Sequence, residues 1–95
     1  MAVQYTLRYA DAAVSKTLLR LPSGIFERIN SMMQELRLEP RGLKTKKLHG
    51  LHPPLYELRI HPYRVIYDID DAKRVIVILG VIHRKDLDKF LRRIS

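Results

Sequence analysis

The 95-residue sequence contains no cysteine, few acidic residues and no long apolar run. Each lack narrows the field. Without thiols there is no disulfide framework and no thiolate metal site, and the chain reads as a cytoplasmic protein held together by its core. No stretch approaches the ~20 consecutive apolar residues that a membrane-spanning helix needs. Met1-Ala2-Val3-Gln4-Tyr5 lacks the charged-then-apolar layout of a signal peptide, so no leader is expected. His, Asp and Glu fall at no metal-site spacing, there is no glycine-rich phosphate loop, and no Ser-His-Asp arrangement can be drawn. No metal or cofactor is expected. Internal repeats, linkers and low-complexity segments are also missing.

The chain does carry charge of one sign. Eighteen Lys and Arg stand against ten Asp and Glu, a formal net charge of +8. In one small domain spanning 1–95, that excess favours a polyanionic partner: nucleic acid, an anionic membrane surface or an acidic protein. The membrane is the weakest of the three, because no basic amphipathic helix carries exposed large aromatics. At 46% hydrophobic residues the chain is globular rather than disordered.

Val3, Tyr5 and Leu7 alternate with polar residues and read as an opening strand. Asp11 can cap a helix from Ala12 to about Arg20, with Val14, Leu18 and Leu21 as its apolar stripe. Pro22 ends it, and Ser23 offers the N-cap of a second helix carrying Ile25, Ile29, Met32, Met33 and Leu36 on one face. Glu39-Pro40-Arg41-Gly42 breaks that helix. The stretch from Leu43 to Leu48 packs Lys44, Lys46 and Lys47 into four positions. Asp70-Asp71-Ala72-Lys73 is a turn signal. The apolar run from Val75 to Ile82 has the pattern of a strand covered on both faces, with His83-Arg84-Lys85 at its mouth. From Asp86, Leu87, Phe90, Leu91 and Ile94 form a short amphipathic helix. Neighbouring strands joined by short turns pair antiparallel. The fold class is therefore α+β: an N-terminal strand, a two-helix hairpin, a twisted antiparallel sheet of about four strands in all, and a short C-terminal helix.

The most informative stretch runs from Leu55 to Asp68. It reads as a hairpin with a two-residue loop at His61-Pro62, in which Ile60 faces Tyr63, Leu58 faces Val65 and Tyr56 faces Tyr67. One face is apolar; on the other, Arg59 lies opposite Arg64. Like charges paired across a sheet are normally destabilising, and a broken local rule of this kind is where a functional site is expected. The plainer reading is two arginines fanning into water. Joined by Arg84 and the Lys44, Lys46 and Lys47 cluster, the pair would make a basic concave surface able to stabilise the developing charge of a phosphorane. RNA brings its own nucleophile, the 2′-hydroxyl, so an enzyme needs a base, cations and an acid for the leaving 5′-oxygen. His83, beside Arg84, is the best-placed candidate for proton transfer. His61, His49 and His52 read as solvated loop histidines. Glu57 shares the face of Arg59, where pairing with an arginine is the simpler reading.

Lys46-Lys47-Leu48-His49-Gly50-Leu51, Leu55-Tyr56-Glu57-Leu58-Arg59-Ile60, Tyr63-Arg64-Val65-Ile66-Tyr67 and Val81-Ile82-His83-Arg84-Lys85-Asp86 together resemble the RelE/ParE toxin superfamily, from near Val3 to about Phe90. The resemblance implies a basic toxin with a helical hairpin against an antiparallel sheet. In the RelE branch it implies metal-independent cleavage of messenger RNA on the ribosome. It assigns Arg64 to the scissile phosphate, Arg84 to transition-state and leaving-group chemistry, and Arg59 to a basic position usually held by lysine. A second lysine position falls on Glu57, and the tyrosine expected near Asp88 or Phe90 is missing, since no tyrosine follows Tyr67. Phe90 can stack on a base but cannot take a proton, and its place on the apolar stripe also reads as core. With Lys44, Lys46, Lys47 and Lys85 on RNA backbone, the implied partners are mRNA, the ribosome and its rRNA, and an acidic RelB-like antitoxin through which the complex binds operator DNA. A ParE-like inhibitor of DNA gyrase and an RNA-binding but inactive toxin are the competing readings.

Overall fold

The computed structural model describes residues 4–94, so Val3 of the expected opening strand lies outside the described residues. The Asp11 carboxylate accepts the Val14 N–H at 3.1 Å, which satisfies one of the orphan donors of a first helical turn. Helix α1 then runs Ala12–Leu19, and Pro22 separates it from helix α2, Ser23–Leu36. Ser23 does not serve as N-cap. Pro22 holds that position in an extended conformation, and its carbonyl accepts the Phe26 N–H at 2.9 Å. Proline's fixed φ and missing N–H suit a helix entry, and the boundary therefore sits one residue earlier than expected.

The strands are β1 (Thr6–Tyr9), β2 (Thr45–Leu48), β3 (Leu55–Ile60), β4 (Tyr63–Asp70) and β5 (Val75–His83). A 3-10 turn, Arg84–Asp86, leads into helix α3, Leu87–Ile94. The sheet order is β1-β5-β4-β3-β2. This corrects the expectation of about four antiparallel strands: the sheet has five, and β1 runs parallel to β5, with Thr6 opposite Val75 and Tyr9 opposite Ile78. Short turns impose antiparallel pairing only on strands adjacent in sequence. The rest of the sheet and both long helices lie between β1 and β5, so that constraint does not reach them.

Helices α1 and α2 pack Val14, Leu18, Ile29, Met33 and Leu36 against Leu58, Val65, Tyr67, Ile76 and Ile78 on one sheet face. The β3–β4 hairpin has the expected register, with Ile60 opposite Tyr63, Leu58 opposite Val65 and Arg59 opposite Arg64. The second face is covered in part by α3. Gly80 lies opposite Ile66 there, and a Cβ on Gly80 would stand 2.8 Å from Cζ of Phe90. The glycine is thus the site of a close approach, and the Phe90 ring rests, half-buried, on the sheet. Cover on both faces explains why β5 reads as a continuous apolar run. Among the described residues no helix is long and apolar enough to cross a membrane.

The end of the sheet remote from the hairpin turn is tied by polar contacts. The Tyr5 hydroxyl donates to Asp71 at 2.6 Å, and Arg41 donates to both oxygens of the same carboxylate at 3.2 and 2.9 Å. The buried Tyr67 hydroxyl donates to the Pro40 carbonyl at 2.6 Å. Arg41 first, and Tyr5 second, hold the Asp71 carboxyl down from 3.8 to about 2, while burial pushes the Tyr67 phenol up from 10.0 to about 12. A depressed carboxylate stabilises the fold above its unfolded value and ceases to do so as pH falls from 3.8 towards 2. A raised phenol stabilises it below 10 and ceases to do so as pH rises from 10 towards 12. Thermal melts across pH are therefore expected to be flat in these two groups through neutrality and to fall at both ends. The acid limb is the smaller, because Asp71 and Arg41 are about half exposed. Tyr67→Phe should remove the alkaline contribution of this group and cost about 1–3 kcal/mol at neutral pH, since it leaves the buried Pro40 carbonyl without its donor.

Candidate functional site

The hairpin that the sequence singles out carries its charged residues on the face away from the long helices. Leu58 and Ile60 point into the core, so alternation turns Glu57 and Arg59 to the other side, and Arg64 joins them from β4. Glu57 is 3% exposed. Its Oε1 accepts the Arg59 Nε–H at 3.0 Å, and its Oε2 stands 3.9 Å from Arg64 Nε. Oε2 is buried and has no hydrogen-bond partner among the described residues. One carboxylate thus sits between two cations that would otherwise repel, which accounts for how the sheet tolerates the pair.

Both contacts use Nε. Arg64 also spends Nη1 on the Tyr63 carbonyl at 3.1 Å. No hydrogen bond within the chain engages the Arg59 Nη groups among the described residues, and its side chain is 52% exposed. The arrangement holds each guanidinium by its inner edge and leaves terminal donors for a ligand. Such planar donors suit a phosphate, which can take two parallel hydrogen bonds from one arginine.

These arginines line a cleft of about 440 Å³ at the turn end of the hairpin. Lys44, His61 and, from α2, Arg28 and Met32 also line it, and Ile60 adds an apolar element. Lys44 sits in the left-handed region, φ 67°, and its carbonyl accepts the Arg59 N–H at 2.9 Å. The kink just before β2 therefore brings this lysine beside the arginines. Arg28 Nη2 approaches the His61 carbonyl at 3.5 Å, which links α2 to the turn. Arg28 and His61 were not legible as site residues: one lies on a helix flank, the other looks like a turn histidine.

The other expected residues lie around this cleft. Lys46 pairs with Glu57 in register and so shares the arginine face, whereas Lys47 pairs with Tyr56 and belongs to the opposite one; both are exposed. Arg84 is fixed beside the turn by its N–H, which donates to the Pro62 carbonyl at 2.8 Å. Its side chain is exposed, as is that of Lys85, and neither lines the cleft. His83 pairs with Tyr63 in register and meets its ring edge-on at 5.6 Å. That places it on the face opposite Arg59 and Arg64. Its Nδ1 accepts the Lys85 N–H at 3.2 Å and caps the 3-10 turn. Phe90 rests on Gly80, as described. His49 faces a separate groove beside Asp88 and Leu91 of α3. Among the described residues no group of three or more His, Asp and Glu could hold a metal ion.

Glu57→Gln offers a check on this electrostatic arrangement. Removing the carboxylate leaves two guanidinium groups without their shared counter-ion, so a polyanionic probe, for which a single-stranded oligonucleotide serves, is expected to bind several-fold more tightly at low salt. The slope of log K against log salt should steepen by about 0.7, the increment of one more phosphate contact. Fluorescence anisotropy with a labelled oligonucleotide reads both, and an unchanged affinity and slope would contradict the counter-ion role.

A family model for the ParE toxin of type II toxin–antitoxin system parDE matches residues 5–88. Among solved structures, the chain is similar to one in the archaeal RelE–RelB complex from Pyrococcus horikoshii, with 30% identity over 85% of this chain and 96% of that one and a TM-score of 0.74. It is similar to one in the toxin–antitoxin complex RelBE2 from Mycobacterium tuberculosis, with 31% identity over 90% and 98% and a TM-score of 0.74. A double arginine-to-alanine mutant of E. coli toxin RelE in the free state shares 25% identity over 97% and 99%, with a TM-score of 0.76. No curated protein matches the sequence at a significant level.

Proposed function

Since the chain belongs to the RelE/ParE superfamily of toxins of type II toxin–antitoxin systems, we propose that it is an endoribonuclease that cleaves mRNA on the ribosome, with Arg59 and Arg64 stabilising the phosphate from the cleft and Arg84 adding its charge from outside it. The observation that carries this reading is the pair of guanidinium groups held by their inner edges on Glu57, with terminal donors left to a shared cleft. Attack by the 2′-oxygen places negative charge on the phosphoryl oxygens. Fixed cations in a partly desolvated cleft stabilise that charge without having to reorganise at the moment of reaction. The nucleophile belongs to the RNA, so the protein needs to supply only charge, position and proton transfer.

Arg84 and Lys85, exposed beside the hairpin turn, extend the cationic surface along the RNA backbone, and Lys44, Lys46 and Lys47 extend it from the other side. The same charge distribution fits an acidic RelB-like antitoxin, the kind of partner present in the RelE–RelB complexes that the chain resembles. Its association should be fast at low salt and slower as salt rises. Operator DNA would then be bound through the antitoxin.

A second reading is supported by the ParE model match and by the absence of a tyrosine after Tyr67: inhibition of DNA gyrase without RNA cleavage. One experiment separates the two. The purified protein is added to a translating extract and mRNA ends are mapped, with DNA supercoiling followed in parallel. New ends in phase with codons are expected. Intact mRNA together with blocked supercoiling would overturn the nuclease reading in favour of gyrase.

A further inference from the structure

Catalysis of 2′-oxygen attack needs a group that removes a proton, and few residues of this chain stand where one could. The Glu57 carboxylate is closed to a ligand: Oε1 is taken by Arg59, and Oε2 is buried beneath the arginines. His83 lies on the other face of the sheet, edge-on to Tyr63, with Nδ1 occupied by the Lys85 N–H. His49 and His52 line grooves beside α3. Tyr67 is buried and bonded to Pro40, and Tyr56 belongs to the far-end cluster through Arg41. Among the described residues the remaining imidazole is that of His61, which lines the cleft with Lys44, Arg59 and Arg64 and is exposed.

We infer that His61 is the proton-transfer residue of this cleft and that Arg28, donating to the His61 carbonyl, is the positioning residue that fixes the turn carrying it. This rests on the nuclease reading. The step balances as follows. The 2′-hydroxyl proton passes to a free ring nitrogen of neutral His61 as the bond from O2′ to phosphorus forms. The bond from phosphorus to O5′ breaks, and the leaving 5′-oxygen takes a proton from water. The hydroxide so formed recovers the proton from the His61 imidazolium, which leaves a 2′,3′-cyclic phosphate, a 5′-hydroxyl and the neutral imidazole. The other charged groups lining the cleft are Arg28 from α2, Lys44 before β2, Arg59 from β3 and Arg64 from β4, with the Glu57 carboxylate against the last two.

The test compares mRNA cleavage by the wild-type protein, His61→Gln, His49→Gln, His83→Gln, Arg28→Ala and Arg28→Lys in a translating extract between pH 5.5 and 8.5. His61→Gln is expected to lose about 10²–10⁴-fold in rate, the usual range for a general base, and to lose the acid limb of the profile while binding RNA as before. His49→Gln should be unchanged. Arg28→Ala should lower the rate and leave the acid limb present, and Arg28→Lys should restore part of it. Wild-type cleavage with His61→Gln equally active, or loss in His83→Gln instead, would overturn the assignment and leave the nuclease reading intact. No cleavage by the wild-type protein would overturn both.

Discussion

Arg64→Ala is expected to lower codon-phased mRNA cleavage by about 10²–10³-fold, the cost usually seen when one preorganised donor to a developing oxyanion is removed, or about 3–4 kcal/mol of transition-state stabilisation. The effect should be large because Arg64 is the more enclosed of the pair, 18% exposed against 52% for Arg59. Its field is therefore less screened by solvent. Arg64 is also held at two points, by the Tyr63 carbonyl and by Glu57, so that little ordering is left to be done when a phosphate arrives. Arg64→Lys should recover only part of the loss, since an ammonium cannot offer two parallel donors. Arg59→Ala should cost less than Arg64→Ala. Single-turnover cleavage of a ribosome-bound message reads all three, and an Arg64→Ala protein with wild-type rate would remove the cleft from the account.

Ile29→Ala is expected to destabilise the fold by about 2–5 kcal/mol, the range for truncating a large aliphatic side chain in a core that collapses only partly around the cavity. Ile29 is fully buried between α2 and the sheet, among Met33, Val65 and Ile76. A domain of this size has roughly 5–15 kcal/mol in total, so the loss is a large share. The melting temperature should fall on the order of 10–20 °C, as read by circular dichroism. The fraction that remains folded should bind RNA normally, because Ile29 faces the core while its neighbour Arg28 faces the cleft. A melting temperature within a few degrees of wild type would show that α2 is not part of the main core.

The hairpin was readable because its period of two leaves little freedom. Once Leu58 and Val65 are buried, Arg59 and Arg64 must leave the opposite face, and a two-residue turn fixes which residues meet. The long helices were readable from apolar spacing and from Asp11 and Pro22. What could not be read was non-local. Nothing in Thr6–Tyr9 says that it will add beside β5, since parallel pairing across the length of the chain leaves no turn signal. His83 looked well placed because it precedes Arg84. Strand alternation extends through His83, however, and turns it to the Tyr63 side. The place of Glu57 on the arginine face predicts its pairing with Arg59, but its burial follows from cover of the second face, which sequence does not record. Arg28 and His61 meet only because α2 crosses the hairpin turn, a tertiary contact between residues 33 positions apart.

The most direct test of the central claim is the chemistry of the ends the protein leaves on a translated message. Cation-assisted attack by the 2′-oxygen predicts a 2′,3′-cyclic phosphate or 3′-phosphate on the upstream fragment and a 5′-hydroxyl on the downstream one, both formed about 10²–10³-fold more slowly with Arg64→Ala. Ends bearing a 3′-hydroxyl and a 5′-phosphate would mean that water is the nucleophile, and would contradict the mechanism built on Arg59 and Arg64.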